Sequence, residues 1–200
     1  GAEDAANLHG YSVLLAPTAM ERARERRAFD ALVQQRLDGM IPLFTYPEEF
    51  VEEMSILKRR RIPMATSLSM TPLPDFDVDI VWAHFEQAAS EMLEHLIQLG
   101  HRRIALIWGV GRSELGNDRV SAYQKALENA DIAYDPELVV TCGYRMEDSV
   151  CAAEHILQIR PLPTAIIGIN DLMAFGALQT CLRYGLRVPQ DISVDGFDDL

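Results

Sequence analysis

Between Arg103 and Arg119 the chain reads RIALIWGVGRSELGNDR, an apolar run that breaks into three glycines and closes on amide and charged side chains. Glycine turns after a strand are suited to phosphate, because a backbone without Cβ approaches an anion closely and the next helix aims free N–H groups at it. As a P-loop the stretch has Gly111 and Gly116 at the required separation, but Asn117 and Asp118 stand where a lysine and a Mg²⁺-binding hydroxyl are needed. The Asp118 carboxylate would repel the phosphate. As a dinucleotide fingerprint, Gly109 and Gly111 open a G-x-G, yet Glu114 takes the place of the third glycine. No nucleotide cofactor is expected.

A different set of side chains is better placed for chemistry. In open parallel sheets, ligands bind beyond the carboxyl ends of the strands, where loops leave the sheet and helices begin. Arg119 after the glycine stretch, Tyr144 after Cys142, Asn170 after Ile169 and Asp198 after Gly196 all fall just past strand-like runs. Together they offer a guanidinium fork, an aromatic face, an amide that donates and accepts, and a carboxylate that accepts. That inventory suits a small polyhydroxylated molecule with an apolar C–H face. Each residue also has a purely structural reading: Asn170 as a helix cap, Arg119 paired with Asp118 or Glu114, Tyr144 in the core, Asp198 in a turn. Catalytic patterns are lacking: the chain has no G-x-S-x-G, no H-E-x-x-H and no Cys/His cluster at metal spacing. His95 and His101 bracket a helix end, and Asp198 and Asp199 are neighbours without the separation paired acids need. Binding without catalysis or metal is the expected class.

These residues need a scaffold of alternating strands and helices. A helix already under way ends at Gly10, and YSVLLA (11–16) reads as a buried strand. Phe29, Leu32, Val33 and Leu37 keep helical spacing, DGMIPLF (38–44) supplies a second strand, 47–60 a helix, and 62–68 a third strand. Residues 69–79, rich in Pro and Asp, break the pattern and read as a linker. The alternation then resumes: a helix carrying Phe85, Met92, Leu96 and Leu99 up to Gly100, then strand 103–108, helix 118–129 and strand 138–142. Helix 147–159, strand 164–169, helix 171–184 and strand 192–196 follow. Strand–helix alternation of this kind implies parallel sheets.

At 48% hydrophobic and 24% charged, the chain is that of a folded globular protein. Its formal net charge of −12 opposes a broad nucleic-acid footprint, which rests on Lys and Arg neutralising phosphates. Three cysteines without C-x-x-C spacing fit a reducing compartment. No run reaches the roughly 18 apolar residues of a membrane span.

The segments HLIQLGHRRIALI (95–107), AIIGINDLMAFGAL (165–178) and GLRVPQDISVDGFDDL (185–200), in that order and spacing, resemble the effector-binding domain of LacI/GalR-family transcriptional repressors. GYSVLLA (10–16) and QQRLDGMI (34–41) extend the resemblance across nearly the whole chain. The resemblance implies an α/β, periplasmic-binding-protein-like fold: two Rossmann-like parallel-sheet subdomains around a ligand cleft. Residues 1–79 would form the amino-terminal subdomain without its first strand, 69–84 the crossover, and 85–200 the carboxy-terminal subdomain. It also implies an excerpt of a longer cytoplasmic homodimer that reaches operator DNA through an amino-terminal helix-turn-helix headpiece and answers to a sugar or sugar-like effector. No membrane partner is implied. Arg119, Asn170 and Asp198 match the family's hydroxyl-reading positions, and Tyr144 its stacking position.

Departures from the family pattern point to a distinct effector. His84-Phe85 stand where Asp-Asn is common, Ala88 replaces a usual Gly, and Leu68-Ser69 replace an Asp-Arg pair. Leu68 and Phe85 would therefore give the amino-terminal side of the cleft an apolar rim. Asp195 replaces an apolar strand residue. A periplasmic or secreted sugar-binding protein is the alternative with the same fold, and a nucleotide-binding Rossmann enzyme is a third class that the failed fingerprints disfavour.

Overall fold

The computed structural model describes residues 1–19, 21–44, 47–67, 78–81, 85–109, 114–143 and 145–198, in two compact units, Gly1–Trp82 and Ala83–Leu200. The second unit is built on four parallel strands, β3 (Ile104–Gly109), β4 (Val139–Cys142), β5 (Ala165–Gly168) and β6 (Ser193–Asp195), in the order β4-β3-β5-β6. β5 is buried along its whole length and β3 everywhere except Trp108, because central parallel strands are covered on both faces and need apolar residues at successive positions. The pairing aligns Ile104 with Ala165 and Ala165 with Ser193, so the amino ends of three strands are level.

Four helices cover this sheet: α4 (Phe85–Gln98), α5 (Glu114–Asn129), α6 (Met146–Ile156) and α7 (Asp171–Arg183). α4 packs on α5, and α6 on α7. Right-handed crossovers from β3 to β4, and then back past β3 to β5, put α5 on one face and α6 and α7 on the other. α4 and α7 end as their sequences foretell. Gly100 (φ +97°) and Gly185 (φ +78°) take the left-handed conformation, and the next N–H groups, of His101 and Leu186, bond back to the carbonyls of Leu96 and Cys181, both at 3.0 Å.

The core of this unit joins Leu93 and Leu96 of α4, Tyr123 and Leu127 of α5, Ile156 of α6 and Met173 of α7 to the inner strands. Tyr123 is fully buried and donates its hydroxyl to the Ile104 carbonyl at 2.8 Å. Burial pushes its phenol well above the ordinary range, so it remains a neutral donor.

The first unit contains α1 (Ala2–Leu8), α2 (Arg22–Val33), a single 3₁₀ turn (Pro47–Phe50) running into α3 (Val51–Arg59), and the parallel pair β1 (Ala65–Ser67) and β2 (Asp79–Val81). Met40 adds one parallel bridge to Met64. Phe29, Phe44 and Phe50 form its aromatic centre, with the Phe44 and Phe50 rings stacked at 4.2 Å and the Arg26 guanidinium 5.0 Å above Phe50.

Several expectations are corrected here. Residues 11–16 form no strand, and Leu15 is 78% exposed; apolar composition supplies strand propensity but no ladder without a neighbour, and no described residue pairs with this run. The 38–44 strand reduces to the single Met40 bridge. α5 starts at Glu114, four residues before the expected Asp118, so Gly116 lies inside a helix. Leu99, expected on the buried face of α4, is 64% exposed because the helix ends before it and Ala89, Leu93 and Leu96 fill the stripe instead. β2 begins at Asp79, the last residue of the stretch read as linker, and lies within the expected 69–84 crossover.

Candidate functional site

The chain leaves β3 for α5 on one face and β5 for α7 on the other, so the carboxyl ends of these neighbouring strands form the switch point where α/β sheets hold ligands. Residues 110–113, which follow β3, lie outside the described residues. The β5 side is fully described. Ile169 carries the ladder one step further by donating to the Ile107 carbonyl at 3.0 Å, and the backbone then turns at Asn170, which is still extended (φ −148°, ψ 168°) and forms the N-cap of α7.

Asn170 divides its amide between two tasks. Its Oδ1 accepts the Met173 N–H at 2.8 Å, which satisfies one of the four open donors of the helix start. Its Nδ2 has no partner among the described residues and is left to donate outward. The cap therefore leaves the amide nitrogen uncommitted.

Asp198 reaches the same place from β6. Its backbone N–H donates to Asp171 Oδ1 at 3.0 Å, and the Asp171 N–H is aimed back at Asp198 Oδ2 at a long 3.4 Å. This exchange sets Asp198 beside the first turn of α7 with its side chain exposed. Gly196 makes the approach feasible, since a Cβ there would collide with Asp171 Oδ1 and come within 3.0 Å of the Ala174 Cβ. Asp195, the residue out of keeping with a strand interior, is half-buried on β6 and accepts the Gly196 N–H at 2.9 Å. Its polarity thus serves the turn into the site.

Of the six residues expected to bind, Asn170 and Asp198 are brought together. Arg119 lies in the second turn of α5 and Phe85 opens α4, but their side chains are outside the described residues, as are Tyr144 and Leu68 altogether. Asp171 and Gly196 were missed. Their signals, IND at a helix start and VDG at a strand end, read locally as a dipole-favouring acid and a turn residue, and the bond that links Asp171 to the turn at Gly196 reaches Asp198, 27 residues away.

The carboxyl end of β4 presents a different chemistry. Burial, then the neighbouring Asp148 and Cys151, push the Cys142 thiol up to about 11, leaving it protonated near neutral pH. An apolar cavity between α4, α5 and the sheet, lined by Met92, Leu106, Tyr123, Ile169 and Phe197, measures about 10 Å³. That is room for one water at most, so it is a packing void and not a ligand pocket. Among the described residues no group of three His, Cys, Asp or Glu side chains is disposed to hold a metal. No described helix is long and apolar enough to cross a membrane.

A parallel sheet with helices on both faces, and polar residues at its switch point, is the architecture of the periplasmic-binding-protein-like class. The family described as periplasmic binding proteins and sugar binding domain of LacI family matches residues 1–200, and the chain belongs to it.

Individual relatives agree. The chain is 30% identical over 203 residues to the HTH-type transcriptional repressor CytR of Escherichia coli (strain K12), an alignment covering all of this chain and 58% of that protein. It is 29% identical over 192 residues to the HTH-type transcriptional repressor PurR of Haemophilus influenzae (strain PittEE), covering 96% of this chain and 56% of the relative. Among solved structures, the transcriptional regulator CelR in complex with cellobiose superposes with a TM-score of 0.84 at 27% identity, covering 98% of this chain and 59% of that one. The chain thus spans a little over half the length of these relatives.

Proposed function

We propose that the chain is the effector-sensing part of a LacI-family transcriptional repressor and binds a small sugar-like molecule at the carboxyl rim of the second unit. The observation that carries this reading is the meeting of Asn170 and Asp198, one with an uncommitted donor and the other an exposed acceptor, at the loops that follow β5 and β6. A hydroxyl both donates and accepts, so vicinal hydroxyls satisfy the pair. Arg119 and Tyr144 complete the reading side, while Leu68 of the first unit and Phe85, which opens α4 of the second unit, meet an apolar face of the effector. In this reading residues 1–79 and 85–200 act as subdomains hinged about a cleft.

In this account the effector shifts the population of a cytoplasmic homodimer between two subdomain arrangements, and the change reaches operator DNA through an amino-terminal helix-turn-helix headpiece. The names of CytR and PurR as HTH-type repressors favour this over a periplasmic sugar carrier. The domain has no enzymatic role, and its net charge of −12 leaves DNA contacts to the headpiece. The test is a thermal-shift screen of the full-length protein with glucose, ribose, cellobiose, ribose 5-phosphate, sorbitol, cytidine and adenosine. Stabilisation by one of them that disappears in Asp198→Ala supports the reading; stabilisation that persists in that variant removes Asp198 from the site.

A further inference from the structure

We infer that Asp171 is the positioning residue of this site: it holds the Gly196–Asp198 turn so that the Asp198 acceptor stands opposite the Asn170 donor. The inference rests on the binding reading above and adds a residue that does not itself face the ligand. Asp171 is only 8% exposed, and a carboxylate is buried at a cost unless its oxygens are bonded. Oδ1 spends its bond on the Asp198 N–H at 3.0 Å, a backbone group from another strand 27 residues away.

An acid in the first turn of a helix is favoured by the helix dipole, but an exposed acid serves that purpose equally well. Glu147 does so in the first turn of α6, and there it stays exposed. Burying Asp171 against Gly196, where a side chain would collide with Oδ1, matches a carboxylate that holds this turn. The fit is close on both sides. Gly196 cannot carry a Cβ without displacing Asp171 Oδ1, and its own N–H is taken by Asp195 at 2.9 Å. Asn170 and Asp171 are consecutive, so one helix start fixes the donor through its cap and the acceptor through this bond.

A consequence for ligand class follows. Asp198 and Asp171 place two carboxylates near the rim with no cation bonded to Asp198 among the described residues, so an anionic group is repelled there and the group docked must donate one hydrogen bond while accepting another. A hydroxyl pair does this; a phosphate or carboxylate does not.

The test uses Asp171→Asn, Asp171→Ala and Gly196→Ala in the full-length protein, with NMR hydrogen exchange at the Asp198 amide and thermal shift against glucose, ribose, cellobiose and cytidine. Asp171→Asn keeps an oxygen acceptor in place, so it is expected to preserve both slow Asp198 exchange and the shift seen in the unmodified protein. Asp171→Ala and Gly196→Ala are expected to speed Asp198 exchange by about tenfold and to lose the shift, while amides in the middle of α7 keep their protection. Unchanged Asp198 exchange in both of these variants, or loss of the shift in Asp171→Asn equal to that in Asp171→Ala, would overturn the assignment. A panel that shifts no variant, the unmodified protein included, counts against the sugar-like reading, and the exchange rates then judge the positioning role alone. Should Asp171→Ala not fold, Gly196→Ala and Asp171→Asn carry the same comparison.

Discussion

The two ends of the four-stranded sheet use polar residues in opposite ways. At the amino end, His101 is closed on both sides, with Nδ1 2.8 Å from Thr164 Oγ1 and Nε2 3.1 Å from Ser193 Oγ, which ties together the entrances of β3, β5 and β6. Nearby, Arg103 donates to Asp135 at 2.8 Å and to the Pro161 carbonyl at 2.7 Å. At the carboxyl end, Asn170 is anchored through Oδ1 and Asp198 through its N–H and a long contact at Oδ2, and each keeps polar capacity unspent. Polar side chains with no capacity left over stitch a fold. Those anchored and half-used are equipped to read a ligand.

That contrast is broken most sharply at the carboxyl end. Asn170→Ala is a poor probe, because it also removes the cap of α7 at a cost of about 1 kcal/mol. Asn170→Asp keeps an oxygen for the Met173 N–H and replaces the amide donor with a negative charge, which a helix N-terminus tolerates. Calorimetric titration with whichever screened compound binds is expected to show affinity weakened by about 1–3 kcal/mol, roughly 5- to 150-fold, in Asn170→Asp and in Asp198→Ala. Operator binding should be retained, and unchanged affinity in both variants would erase the distinction between the two ends.

A related effect, about tenfold, is expected at the start of α4. Asp and Asn introduced at His84 and Phe85 should weaken the same compound, whose apolar face would meet groups it cannot bond. Equal or tighter binding in the double variant would return the effector to an ordinary sugar.

The amino end should respond in stability, not in affinity. His101→Ala leaves the Thr164 and Ser193 hydroxyls without their shared partner, and a loss of about 1–2 kcal/mol, a few degrees in Tm, is expected with effector affinity unchanged. Calorimetric melting and titration of this one variant check both halves.

Much of this scaffold is legible in the chain, and the reasons for the rest are physical. β3, β5, α4 and α7 are apolar or periodic runs closed by glycines, α6 is a periodic run without one, and each lies within a few residues of where the pattern puts it. β2 is three residues long, too short to carry a period. Residues 11–16 carry strand composition, but pairing depends on a neighbour that local sequence does not encode. The start of α5 was hidden by Gly116, which reads as loop yet is tolerated inside the helix. Within the site, Asn170 and Asp198 follow from the rule about strand ends. Asp171 does not, because its partner is 27 residues away and only folding brings them together.

Smaller effects sharpen the picture around the sheet. Among the thiols, iodoacetamide should label Cys151 in the native protein, while Cys142 and Cys181, buried and with burial raising both, should react only on unfolding. Mass spectrometry of the alkylated peptides reads this directly. The smallest effect concerns Asp191 in the loop before β6, lowered from 3.8 to about 2 by its side-chain and backbone hydrogen bonds from Arg187. A depressed folded-state value stabilises the ionised form, so the contribution is complete above about pH 4 and is lost as pH falls toward 2. Both partners are exposed, and Asp191→Asn is expected to flatten the acid limb of the stability curve only slightly in that window.

The most direct test of the contrast between the two ends is a single set of amide NMR spectra of the full-length protein, recorded as the compound selected by the thermal-shift screen is added. Amides of residues 169–171 and 196–198 are expected to move, and those of 101–104, 164–165 and 192–193 to stay. Shifts concentrated at the His101 end, with the Asn170 and Asp198 amides unmoved, would contradict the account.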